Sequence, residues 1–166
     1  TTAYLLLQLY EPDFRSNVKA MPFHEIMEAV KKGEVEAGLI IHEGRFTYPS
    51  YGLKKIIDLG EWWERETGLP IPLGCILAKR SLGIDVISKV ERLIRESVQY
   101  AMSRRDEPGK YIKEHSQELD DSVIDEHINL YVNDYSIDIG DDGIRAVRKL
   151  LDMAEERGII KKSSKP

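Results

Sequence analysis

VKAMPFHEIMEAVKKGEVEAGLII occupies residues 18 to 41, and its reading decides the fold class. Val18 to Met21 has strand length. Phe23 to Lys32 carries Phe23, Ile26, Met27 and Val30 at helical spacing, which gives one apolar face. Gly33 suits the end of that helix, because glycine takes a left-handed backbone at little steric cost. Ala37-Gly38-Leu39-Ile40-Ile41 is a compact apolar run of the kind a buried parallel strand uses. Together these residues read as one βαβ unit, with a right-handed crossover.

Outward from this unit, His42-Glu43-Gly44-Arg45-Phe46-Thr47-Tyr48-Pro49 is a polar and aromatic loop. Lys54 to Leu59 is a further strand candidate. Glu61 to Thr67 is a short helix closed by Gly68, and Leu69-Pro70-Ile71-Pro72-Leu73-Gly74 is a stiff connection to another strand candidate, Cys75 to Ala78. Upstream, Thr1 or Thr2 caps a helix whose apolar residues are Tyr4, Leu5, Leu6, Leu7 and Leu9, and Pro12 stops it. Trp62 and Trp63 project about 100° apart on a helix, so at most one is expected to be fully buried, with the core the safer place for either.

After Lys79 no strand-like run remains. Asp85 to Ser103 predicts a long amphipathic helix with Ile87, Val90, Ile94, Val98 and Ala101 inward. Tyr111 to Glu118 and Ser122 to Val132 predict two more. Gly143 to Arg157 predicts a last one, with Ile144, Val147, Leu151 and Ala154 inward, before a polar tail from Lys161 to Pro166. Such helices must bury their stripes on one another or on a sheet.

The 166 residues suit one domain or two small lobes. With 24 basic and 29 acidic residues the net charge is −5, and there is no Lys/Arg cluster, which argues against nucleic-acid or anionic-membrane partners. At 42% hydrophobic the chain is too apolar for disorder. No apolar run approaches the ~20 residues of a membrane helix. Cys75 is the single cysteine, so no internal disulfide forms and no cysteine-based metal site exists, and a reducing, cytoplasmic setting is expected. The opening Thr1-Thr2-Ala3-Tyr4-Leu5-Leu6-Leu7 has no basic segment before its apolar stretch, so it does not read as a secretory signal but as the middle of a domain.

His42 is the foremost chemical candidate. It follows a predicted parallel strand, where open α/β sheets place ligand crevices, and imidazole with an ordinary pKa near ~6.5 suits a general base near neutrality. Glu43 and Arg45 stand ready to orient the ring or a substrate carboxylate. Against this stands a histidine that only caps a strand, and position alone leaves the two about even. Thr1 and Thr2 offer hydroxyls and free N–H groups at a helix start, which is an anion site or, more simply, an ordinary N-cap. His24, His115 and His127 read as surface residues or partners of nearby carboxylates. There is no phosphate-binding G-x-x-x-x-G-K-[ST] loop, no G-x-G-x-x-G and no G-x-S-x-G. Asp138-Ile139-Gly140-Asp141-Asp142-Gly143 faintly suggests a calcium loop, but Lys149 stands where its last acidic ligand belongs, so a helix-leading turn capped by Asp141 or Asp142 is expected.

Several stretches taken in order carry a resemblance. They are Ala3 to Leu7, Glu11-Pro12-Asp13-Phe14, and Gly38-Leu39-Ile40-Ile41-His42-Glu43-Gly44-Arg45-Phe46-Thr47-Tyr48. Asp58-Leu59-Gly60-Glu61-Trp62-Trp63-Glu64, Thr67 to Gly74, and His127-Ile128-Asn129-Leu130-Tyr131-Val132-Asn133 complete the set. The chain resembles the 1,4-dihydroxy-6-naphthoate synthase family of the futalosine route to menaquinone, over nearly its whole length.

The resemblance implies a periplasmic-binding-protein-like (type II) two-lobe α/β fold, of which this chain is the later portion. Residues 1–78 would be mainly the second lobe with the catalytic loop. Residues 79–166 would be a helical return packing on a first lobe whose sheet is mostly not in the chain. It further implies a carbon–carbon lyase that converts cyclic dehypoxanthine futalosine to 1,4-dihydroxy-6-naphthoate and dihydroxyacetone, with no metal or organic cofactor. His42 matches the family's base, and Thr1 and Thr2 match its substrate-contacting threonine pair. The expected partner is a small-molecule carboxylate, with no nucleic acid and no membrane, and a homo-oligomer left open. Two other readings are weighed beside it: a non-catalytic small-molecule-binding protein of solute-receptor type, and chorismate dehydratase, whose family shares the fold.

Overall fold

The Thr1 hydroxyl accepts a hydrogen bond from the Tyr4 amide and so caps helix α1 (Thr2–Tyr10). Pro12 lacks the amide needed to continue that helix, and a 3-10 turn over Pro12–Ser16 follows. These features belong to a computed structural model that describes residues 1–16, 18–116 and 120–162. Among the described residues eight more helices follow: α2 (Phe23–Lys31), α3 (Gly44–Thr47), α4 (Leu59–Thr67), α5 (Ile84–Ser103), α6 (Asp106–His115), α7 (Asp121–Tyr131), α8 (Asp134–Ile137) and α9 (Gly140–Glu156). Gly68 ends α4 at φ 67°, a left-handed position that explains the residue type there. The helix expected over Tyr111 to Glu118 starts earlier, at Asp106, and residues 117 and 118 lie outside the described residues, as do the last four of the expected tail.

No strand occurs among the described residues, which overturns the expected α/β, periplasmic-binding-protein-like fold and the βαβ unit at residues 18–41. Residues 18–21, 37–41, 54–58 and 75–78 are non-helical but form no ladder, and Leu59 opens α4 instead of closing a strand. The physical reason is that a strand is a property of a pair: an apolar run supplies side chains, while the ladder needs a second backbone. Ile56, Ile76 and Leu77, read as strand residues, are 82%, 77% and 86% exposed.

The chain divides into two compact units, Thr1–Leu73 with Asp141 onward, and Gly74–Gly140. The first holds a core of Leu6 and Leu9 from α1, Trp62 and Trp63 from α4, and Leu150 from α9. Both tryptophans enter it. Trp63 is fully buried, while Trp62 keeps a small exposed edge and meets the Tyr10 ring edge-on at 5.6 Å. Helix α9 buries Gly143, Ala146, Leu150 and Ala154, so of its expected inward residues only Ala154 is buried, and Ile144 and Leu151 are exposed. Small residues let α9 approach closely, which a reading based on bulky side chains misses. Asp141 and Asp142 stand in its first turn and do not precede it as caps.

In the second unit no residue of α5, α6, α7 or α8 is buried. The expected stripe of α5 is half-buried at Ile87, Ile94, Val98 and Ala101, and exposed at Val90. Polar ties are prominent here: Arg95 pairs with Asp138 at 3.2 Å, Lys113 with Asp121 at 2.6 Å, and Arg105 bonds Asn129. Tyr100 donates to Glu107 at 2.6 Å, which holds its phenol proton and raises its pKa above the ordinary 10.0.

Asp120 caps α7 by accepting from the Ser122 and Val123 amides at 2.9 and 3.3 Å. The Ser122 hydroxyl, at 2.6 Å, contributes most to holding its carboxyl below the ordinary 3.8, and the two amides add to it. A folded-state pKa below the unfolded one means the cap's stabilisation is present above pH 3.8 and is lost as pH falls through the depressed value. The protection factors over 121–124, taken against the intrinsic exchange rate at each pH, are therefore expected to fall at acid pH in the parent, and to be low already at neutral pH in Asp120→Ala. Equal protection in both proteins would remove the capping role.

Candidate functional site

Residues 37–41 are non-helical and pass close to α2, and the lack of a side chain at residue 38 permits it. A Cβ on Gly38 would collide with Ile26 Cγ2 and lie tight on Val30. The segment delivers the chain to His42, the only non-glycine among the described residues with positive φ, at 55°. That left-handed backbone costs a β-carbon-bearing residue energy, and such costs concentrate at functional positions. The His42 carbonyl accepts from the Arg45 amide at 3.3 Å, and the Glu43 carbonyl accepts from the Phe46 and Thr47 amides at 2.9 and 3.1 Å, so His42 stands in the turn just before α3, whose N-cap is Glu43. Its ring lies 5.1 Å from that of Phe23, tilted 57°, and the residue is exposed. It follows a non-helical segment rather than a strand, so the sheet-edge argument for it no longer applies.

Arg45 does not stand open for a substrate carboxylate. Its Nη2 lies 2.7 Å from Asp58 Oδ2. The other carboxylate oxygen of Asp58 accepts from the Gly60 and Glu61 amides at 2.9 and 3.2 Å and caps α4. Sequence reading missed Asp58 as a site residue. The signal was an acidic residue three before Glu61, the spacing of a capping box ahead of a helix.

Thr1 and Thr2 sit at the start of α1. The Thr1 hydroxyl spends an acceptor position on the Tyr4 amide, a bond that leaves its own proton to give. Thr2 donates to the Leu73 carbonyl at 3.2 Å. Helix α4 links the two regions: its N-terminal Asp58 holds Arg45, its face packs on α1, and the segment after it, through Leu73, receives Thr2. Trp63 fastens that segment by donating from Nε1 to the Pro70 carbonyl at 3.0 Å.

The remaining histidines have other partners. His24 is exposed and pairs with Glu25 at 3.7 Å. His115 Nδ1 lies 2.8 Å from the Tyr111 carbonyl, with the two rings stacked, and His127 packs on Tyr131. A cavity of about 360 Å³ beside α2 is lined by Lys19, His24, Glu25, Glu28, Lys32 and Glu34 among others, and none of the three candidates borders it. Among the described residues no group of three His, Cys, Asp or Glu could hold a metal, and no helix is long and apolar enough to cross a membrane.

Residues 1–156 match the model of a family described as menaquinone biosynthesis. A curated protein of Thermus thermophilus, named 1,4-dihydroxy-6-naphtoate synthase, is 49% identical over 166 residues, which is 100% of this chain and 60% of that protein. A protein of the same name from Streptomyces coelicolor is 48% identical over 164 residues, covering 96% of this chain and 58% of its own. The chain thus spans about three-fifths of the length of these relatives. A crystal structure of a protein from Archaeoglobus fulgidus superposes with a TM-score of 0.90 at 41% identity, over 96% of this chain and 60% of that one.

Proposed function

The chain belongs to the menaquinone-biosynthesis family, and from that premise we propose that it serves as a carbon–carbon lyase, converting cyclic dehypoxanthine futalosine to 1,4-dihydroxy-6-naphthoate and dihydroxyacetone. The observation that carries the reading is a histidine held left-handed at φ 55°, in a chain about half identical to two relatives named for that product. In the proposed reaction the His42 imidazole removes a proton from the substrate, and formation of an aromatic ring drives the elimination that follows. Thr1 and Thr2 contact the substrate, with the Thr1 hydroxyl donating a hydrogen bond to its carboxylate. Closure around the substrate excludes water and strengthens these contacts. Within residues 79–166, α5 to α8 supply faces that pack on the portion of the relatives this chain does not span, while α9 packs on α1 and α4. The substrate is a small carboxylated molecule, and the lone Cys75 suits a cytoplasmic, reducing setting.

Incubation of the protein, as the cell makes it, with the cyclic intermediate is expected to yield naphthoate and dihydroxyacetone in equal amounts. Tight binding without product overturns the lyase reading in favour of a solute receptor. Loss of water from chorismate, with the cyclic intermediate untouched, assigns the dehydratase instead.

A further inference from the structure

We infer that Asp58 is a positioning residue for His42, acting through Arg45; this deepens the lyase reading and rests on it. Arg45 lies three positions after His42, and the Arg45 amide already donates to the His42 carbonyl at 3.3 Å. The same residue's guanidinium is held at 2.7 Å by Asp58, whose side chain is only 11% exposed. Asp58 is itself fixed by the Gly60 and Glu61 amides at the head of α4, the helix that carries the buried Trp63. The chain of contacts therefore runs from the core, through α4 and one carboxylate, to the backbone of the turn that displays the imidazole. A turn strained at φ 55° needs such an anchor, since an unsupported residue would relax toward negative φ. Small displacements of a reacting group have large effects on rate.

The two oxygens of Asp58 allow the cap and the clamp to be separated. Asparagine is an equally good N-cap, so Asp58→Asn keeps the bonds to Gly60 and Glu61 and removes the charge that holds Arg45. We expect Asp58→Asn, made in the protein as the cell produces it, to lower kcat about ten- to a hundredfold. KM should stay within about twofold and the thermal midpoint should hold, because the cap survives. Amide exchange at residues 43–47 should accelerate while the interior of α4 stays protected. Arg45→Gln combined with Asp58→Asn should be no worse than either alone, as for two residues acting as one unit. A kcat within twofold of the parent, or unchanged exchange at 43–47, overturns the inference. His42→Asn measured alongside keeps the two readings apart: if it retains turnover, the lyase base is wrong, and Asp58's hold on the turn is then decided by the exchange rates alone.

Discussion

Replacing His42 by asparagine is expected to lower turnover of the cyclic intermediate by a factor of about 100 to 10,000, the range general acid–base catalysis contributes, without unfolding the protein. The choice of asparagine follows from the backbone. At φ 55° an alanine would still carry the left-handed strain of about 1–2 kcal/mol that a β-carbon brings, whereas asparagine visits this region readily. The α3 bonds from Arg45, Phe46 and Thr47 to the carbonyls of residues 42 and 43 involve backbone only, so they persist. The imidazole is lost, and the contact with Phe23 at 5.1 Å goes with it. His42→Gly is the complementary variant: it relaxes the strain entirely and also lacks a base, so it should be equally inactive and no less stable. Naphthoate release and the thermal midpoint measure both quantities on one preparation. An unchanged rate in either variant removes His42 from the chemistry.

The helices were legible because their signals are local. Thr1 and Pro12 bracket α1, and Gly68 closes α4 at a left-handed position. The apolar spacing of α2 and α5 announces each helix to within about a residue. The sheet was misread for the converse reason: Ala37 to Ile41 carries the right side chains, but a ladder needs a partner backbone, and no described residue supplies one. The face of α9 was misread because Gly143 and Ala146, not Ile144 and Leu151, meet the core. At the site, the position of His42 in a turn after an apolar run was legible, while its left-handed backbone was not, since nothing in His42-Glu43-Gly44 assigns the positive φ to the histidine rather than the glycine. Arg45 was read as a neighbour of the ring or a substrate clamp. Its partner Asp58 is thirteen residues on, a distance over which sequence pattern says nothing of contact.

Trp63→Ala should be the most destabilising single change in the first unit, at about 3–5 kcal/mol for the loss of a fully buried tryptophan. Domains of this size have only about 5–15 kcal/mol to lose, so the variant is expected to be largely unfolded near physiological temperature. Two effects combine. A cavity opens where Leu6, Leu9 and Leu150 converge. The Pro70 carbonyl also loses the Nε1 donor at 3.0 Å, freeing the stiff segment whose Leu73 carbonyl receives Thr2. Trp63→Phe separates them, because it restores much of the volume but not the donor. Its cost should be nearer 1–2 kcal/mol, dominated by the unpartnered carbonyl. Urea unfolding followed by helix content gives both values. If packing alone matters, Trp63→Phe is nearly neutral and Thr2 keeps its partner. If the indole bond fastens the segment, amide exchange over 71–73 rises in Trp63→Phe while α1 stays protected. A cost below about 1 kcal/mol for Trp63→Ala would mean that α1 and α9 are held to α4 by something other than this side chain, and the link from the core to both candidate regions would be lost with it.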